Sequence, residues 1–246
     1  MKKYWIISFL AVFLAACEGG SNERDSLDPG TGDGQGGSLA RFAVAGDFLY
    51  TVDHRTLNTL NIVNAQRPIP VSKTDVGFNI ETIFPRGNAL FIGSQMGMYI
   101  YSLQDPSSPK RLSFYQHVMS CDPVVADNRY AYVTLRTGTP CTRGLNVLEI
   151  LDIIDLTNPV LVASYPMTNP MGLGISGKTL FVCDDGLKVF DVTNVQNIRL
   201  LHHFRMPAID VIPRGQILIV MSDDGIRQYE YVDGQMNMLS LIPVSR

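Results

Sequence analysis

One short pattern occurs five times along the chain, and a repeat of this kind constrains the fold more than any single motif within it. The copies are Leu57-Asn58-Thr59-Leu60-Asn61, Met98-Tyr99-Ile100-Tyr101-Ser102, the stretch from Leu151 to Tyr165, Leu187-Lys188-Val189-Phe190-Asp191 and Ile226-Arg227-Gln228-Tyr229-Glu230. In each, an apolar residue opens the run, a large residue stands one place before its end, and a small or acidic polar residue closes it. The stretch from Leu151 reads as a strand, a turn at Thr157-Asn158-Pro159 and a second strand.

A turn precedes the strongest strand of each unit: Gly46-Asp47, Gly87-Asn88, Asp127-Asn128, Gly177-Lys178 and Gly215-Gln216. Such pairs suit tight hairpins, where positive φ is needed. Their spacings are 41, 40, 50 and 38 residues. A β-rich run follows each turn, as in Leu90-Phe91-Ile92 and Leu180-Phe181-Val182, and helical periodicity is absent. Four short strands per repeat of roughly 40 residues predict an all-β fold, a β-propeller of five four-stranded blades packed face to face. Regular spacing argues against a β-sandwich, and ordinary terminal repeats argue against a capped solenoid. The first and last blades, Ser38–Asp75 and Pro207–Arg246, are each complete, so no strand shared between the ends is expected to close the ring.

The strand-turn-strand that ends each unit resembles the LVIVD repeat of exported and surface propellers in bacteria. The resemblance covers all five units. It is clearest at Leu151–Pro159, where Asp152 departs from the apolar pattern, and most degenerate in the first and last. It implies a fold and says little of function, since propellers host many unrelated activities.

The N-terminus carries an address. Lys2 and Lys3 precede an apolar run from Tyr4 to Ala16, the grammar of a signal peptide over residues 1–16 and too short for a comfortable membrane span. Leu14-Ala15-Ala16-Cys17 resembles a bacterial lipobox, which implies lipidation of Cys17. Multiple acyl chains anchor a protein stably to a bilayer. Glu18, a residue other than Asp after that cysteine, implies an outer-membrane anchor, facing the periplasm or the outside. Residues 17–37, rich in Gly, Ser and acids, form a flexible tether without core-forming side chains. The propeller is expected over 38–246. The formal net charge is −3, and with no basic block or basic-aromatic stripe, nucleic acid is not an expected partner.

In four-stranded antiparallel blades, loops joining the second and third strands share a face with the segments that lead into each first strand. On that face fall the turns Asp184-Asp185-Gly186 and Asp223-Asp224-Gly225 and one large insertion, Arg136 to Asn146. Cys141 lies in the insertion and Cys121 at the start of the same blade. An exported protein keeps disulfides, so a Cys121–Cys141 bridge is expected, leaving Cys183 as a free thiol. Counting five residues back from each registration turn places Arg41, Thr82, Asp122, Gly172 and Asp210 on the first strands around the central channel. Counting four back places Phe42, Ile83, Pro123, Leu173 and Val211, an apolar set that reads as blade-to-blade core.

Arg41, Thr82, Asp122 and Asp210 are therefore the candidate binding residues at the channel mouth, for a sugar or for a cation such as calcium. The competing interpretation is an ion-pair cluster that only satisfies charge. The Asp-Asp-Gly turns lack the spacing of a calcium loop and are good hairpin chemistry. His202 and His203 are adjacent on a strand and point to opposite faces, so they cannot share a metal. His54 and His117 lack partners in the pattern. No nucleophile elbow, metalloprotease helix or phosphate-cradling loop is present. No metal and no other cofactor is assigned. The reading that follows is a binding or scaffolding module at the envelope, membrane-anchored through Cys17, for a protein or polysaccharide. The alternative is a hydrolase, a glycoside hydrolase or a metal-dependent one, using Asp122 and Asp210 with Glu81 as a third acid.

Overall fold

The computed structural model describes residues 36–117, 123–137 and 145–244. Within them lie five four-stranded antiparallel sheets, each built from four consecutive strands. Blade 1 holds β1 (Phe42–Ala45), β2 (Phe48–Val52), β3 (Thr56–Asn61) and β4 (Ile69–Asp75). Blade 2 holds β5 (Ile80–Arg86), β6 (Ala89–Ser94), β7 (Gly97–Ser102) and β8 (Lys110–Gln116). Blade 3 holds β9 (Val124–Ala126), β10 (Tyr130–Leu135), β11 (Val147–Asp152) and β12 (Val160–Pro166). Blade 4 holds β13 (Pro170–Ser176), β14 (Thr179–Asp184), β15 (Leu187–Asp191) and β16 (Arg199–Phe204). Blade 5 holds β17 (Asp210–Arg214), β18 (Ile217–Ser222), β19 (Gly225–Val232) and β20 (Gln235–Pro243). The five-bladed propeller arrangement expected from the repeat is what the chain forms.

Local chemistry accounts for the repeat. The first turn of blades 1, 2, 4 and 5 begins with a glycine at φ 54, 52, 56 and 60°, in Gly46, Gly87, Gly177 and Gly215, a region that other L-residues disfavour. Blade 3 lacks that glycine, and its turn is held instead by the Asp127 carboxylate, which accepts the amides of Arg129 and Tyr130 at 2.7 Å each. The polar residue closing each pattern has a matching task. Asn61, Ser102, Asp152 and Asp191 each accept the amide two residues on, at 3.0, 3.2, 3.0 and 2.8 Å, and so turn the chain out of the third strand. In blade 5 the third strand continues past Glu230 to a two-residue turn at Asp233-Gly234, with φ 50 and 79°, which makes β19 and β20 one long hairpin. A bulge falls between the third and fourth strands of every blade, after Thr59, Ile100, Ile150, Val189 and Gln228. It adds the local twist that lets flat sheets fan around an axis.

Two sequence expectations shift. The strand of the third repeat is Val147–Asp152 and not the run that begins at Leu151. Leu148-Glu149-Ile150-Leu151-Asp152 is the true copy, with Asp152 closing it, and Ile153 to Pro159 form the turn. The twin Asp residues, 152 and 155, both begin such turns, which is why the later one could be mistaken for the end of the strand. The second concerns Gly37, counted with the tether but buried beside Ser38.

The core is distributed between blades. One apolar cluster joins blades 2, 3 and 4, one joins blades 1 and 2, and one joins blades 4 and 5. The second strands record this in their burial. β6 is buried at every position, and β10 and β14 at all but their first, so both faces of blades 2, 3 and 4 are covered. In β2 and β18 burial alternates, so blades 1 and 5 bury one face each. Ile83, Leu173 and Val211 are at most 1% exposed, as expected of blade-to-blade core, whereas Phe42 is 59% exposed. The expectation fails at Phe42 because no blade packs against that side. Inner strands of successive blades pack together from β1 through β17, but β17 and β1 do not pack as the others do.

Candidate functional site

Of the channel candidates, Arg41, Thr82 and Asp210 lie among the described residues. Asp210, at 1% exposure, lies inside the protein, where its carboxylate accepts Ser38 Oγ at 2.8 Å and the amides of Leu39 and Val211 at 3.2 and 3.0 Å. Ser38 Oγ in turn accepts the Leu173 amide at 2.8 Å, so one buried hydroxyl joins the segment before β1 to blades 4 and 5. Ala40 extends the junction to blade 2 by accepting the Ile83 amide at 2.9 Å. Burial raises the Asp210 carboxyl, with the hydrogen bonds from Ser38, Leu39 and Val211 working against that rise. Gly172 is confined to glycine by proximity, because a Cβ there would run into the Asp210 carboxylate. Thr82 is buried, at 2% exposure. Arg41 is exposed and, among the described residues, forms no ion pair with Asp210. Asp122 lies outside the described residues, as do Cys17, Cys121 and Cys141. Glu81 is half-buried and accepts Gln95 Nε2 at 2.9 Å.

The face chosen from the sequence does hold a cleft. It lies between blades 4 and 5, has a volume of ≈ 480 Å³, and is reached by the turn joining β14 to β15 and the linker joining β16 to β17. Met171, Cys183, Met206 and Ile209 give it an apolar interior, while Asn169, Asp185, Arg205 and Asp223 supply polar groups. Asp185 adopts φ 52° without being glycine. Its carboxylate pairs with the Arg205 guanidinium, and its carbonyl oxygen lies 2.7 Å from His203 Nε2. His202 instead stacks on Phe204 and meets Tyr231 edge-on, on the other side of β16, as the alternation of the strand requires.

Asp184 holds this wall in place. Fully buried, it accepts the amides of Thr168 at 3.0 Å and Asn169 at 2.6 Å and the Lys188 ammonium at 2.6 Å. Burial works to raise its carboxyl, but Lys188 and the two amides more than offset that and hold it below the usual carboxylate range. The same scaffold reaches the insertion. Asn146 accepts the Thr137 amide at 2.9 Å and donates to the Thr168 carbonyl at 2.7 Å, so the base of the Arg136–Asn146 loop is tied to the cleft wall. In the second acidic turn, Asp224 is bound by Arg227 at 2.6 Å and by Ser222 at 2.7 Å, which hold its carboxyl low. These acids are spent on the fold, as hairpin chemistry suggested.

The Cys183 thiol is free, 1% exposed, and pushed well up by burial and by nearby Asp210, whereas a reactive cysteine is a thiolate. Among the described residues no group of three or more His, Cys, Asp or Glu is placed to hold a metal ion. What the cleft offers is recognition: an apolar interior and a rim with Arg205 and Asn169 as donors and Asp185 and Asp223 as acceptors. Sequence reasoning missed Arg205, Met206 and Ser38. Arg205 was legible in one respect, since it follows Phe204, the cross-strand partner of Leu187 just after the Asp185-Gly186 turn.

Comparison with known proteins bears on the fold. No family model and no curated protein matches the sequence. Among solved structures, the chain is similar to a 6-phosphogluconolactonase candidate of Bacteroides uniformis, with TM-score 0.64 and 12% identity over 82% of this chain and 70% of that one. It is similar to the periplasmic gluconolactonase of Pseudomonas aeruginosa, with TM-score 0.60 and 15% identity over 83% of this chain and 68% of that one. It is also similar to the computationally designed protein Ika8, with TM-score 0.59 and 11% identity over 79% of this chain, but it spans only 59% of that protein's length. At these identities the likeness is one of architecture, and it identifies the chain as a β-propeller.

Proposed function

We propose that this protein is an envelope lipoprotein, anchored to the outer membrane through Cys17, whose propeller binds a polysaccharide or a protein in the cleft between blades 4 and 5. The observation that carries this reading is the cleft itself, where an apolar interior meets the Asp185–Arg205 pair and its thiol is held protonated. Apolar area with a few fixed polar groups suits the alternating faces of a sugar or a peptide side chain. Asn146, at the base of the insertion, is bonded to the Thr168 carbonyl at the cleft wall.

A thermal-shift series on the full-length protein tests this, with envelope polysaccharides as additives and Arg205→Ala as the comparison. A ligand at a hundred times its dissociation constant stabilises by about 2.7 kcal/mol. The expected result is a rise in melting temperature that Arg205→Ala abolishes. A rise untouched by Arg205→Ala places the ligand elsewhere. The second reading, a propeller hydrolase, draws on the likeness to one protein described as a gluconolactonase and one described as a 6-phosphogluconolactonase candidate. It predicts hydrolysis of a gluconolactone above background, lost in Asp122→Asn. The burial of Asp210, the second acid that reading needs, weighs against it.

A further inference from the structure

Three seams between blades are bridged from one recurring position in the fourth strand, and among the described residues the seam between blades 5 and 1 is open on both sides. Ile242 pairs with Ile226 as Tyr115, Tyr165 and Phe204 pair with Met98, Leu148 and Leu187. Tyr115 uses that position to reach Glu149 of the following blade at 3.2 Å, whereas Ile242 is 59% exposed. Blade 5 thus presents a forward face that, among the described residues, is covered at β17 by the segment before β1 and left open at Met221 and Ile242. Blade 1 presents the complementary rear face, apolar at Phe42, Leu49 and Leu60, with burial at most partial. Charge matches as well. Arg86, the last residue of β5, donates to Asn128 in the first turn of blade 3 at 2.9 Å. At the open seam the corresponding positions are Arg214, the last residue of β17, and Asp47 in the first turn of blade 1, both exposed and opposite in charge.

The chain does not bring these two faces together within one molecule. The segment from Gly37 to Leu39 already lies over β17, so close that a Cβ at Gly37 would meet Asp210 and Ile212. We propose that the open face of blade 5 receives the open face of blade 1 from a second copy of this chain, reciprocally, in a two-fold dimer. Blade geometry sets the scale. With β17 already covered, three strands ~4.8 Å apart and about six residues long at ~3.3 Å each cover roughly 300 Å². One such contact is below a standard interface, but two reciprocal contacts give about 600 Å² per partner, the low end of the standard range. The two-fold arrangement uses both open faces of each copy and leaves none over.

Sedimentation of the purified full-length protein, with two exposed substitutions, tests this. The wild type should form a dimer. Asp47→Arg alone and Arg214→Asp alone each set like charges at both contacts and should weaken association at least tenfold. Mixing the two single variants opposes unlike charges at both contacts, so the mixture should recover the dimer, with one copy of each variant. A wild type that stays monomeric at all concentrations overturns the proposal. So does a dimer indifferent to both substitutions, or single variants that fail to rescue one another.

Discussion

Two buried aspartates show how burial alone does not decide what a carboxylate does. Asp184 and Asp210 are both buried, at 0 and 1% exposure, yet their carboxyls move in opposite directions. Asp184 has a lysine ammonium against it, and Asp210 has only hydroxyl and amide donors, which do not compensate the loss of water. Asp184→Ala should cost about 3 kcal/mol in urea unfolding, since it strands Lys188 and two amides. The pH dependences should diverge. A carboxyl lowered in the folded state contributes stability at pH above its unfolded value of ~3.9 and loses it as pH falls through the folded value. A raised one behaves oppositely, stabilising most at low pH and losing that contribution as pH rises through the folded value. Measured against Asp210→Asn, the wild type should therefore lose relative stability as pH climbs from about 4 toward neutral. Measured against Asp184→Asn, it should gain as pH rises toward about 4 from below and change little above that.

Strands in this protein are shaped by what lies behind them. Gly174 is a poor strand residue by propensity, but a Cβ there would meet Pro213 Cδ at 2.5 Å and the Val211 carbonyl at 2.7 Å. Close approach of β13 to β17 depends on that missing side chain. Gly174→Val, favourable in an isolated strand, should therefore destabilise by about 2 kcal/mol or more and free blade 5 from blade 4. Limited proteolysis should then cut first in the linker joining β16 to β17. The third-to-fourth strand turns obey a different rule, being local. Asn61, Ser102, Asp152 and Asp191 make their bonds two residues away, so the polar end of the repeat could be read without knowing any neighbour. Registration failed at Leu151 for the same reason, because Asp152 and Asp155 offer two such local signals three residues apart.

Across the molecule, stability should grade from the middle of the chain to its two ends. Blades 2, 3 and 4 have both faces covered and blades 1 and 5 one each. Hydrogen exchange follows such differences in local opening. Amides of β6, β10 and β14 should exchange last and those of β2 and β18 well before them in dilute protein. Equal protection in all five blades would contradict an open seam. Blade count, strand order and turn chemistry were all legible from the residues, because each depends on contacts a few positions apart that recur with the repeat. The cleft face was legible too, since strand alternation assigns loops to faces. The fate of the channel residues was not. Asp210 turned inward to Ser38, Arg41 outward to solvent, and Phe42 was left uncovered, through contacts between residues up to 172 positions apart. A periodic pattern specifies how each blade is built and which face meets the next. Whether the last blade meets the first depends on the small angle added at every bulge and seam, and that sum exists only once the blades are packed.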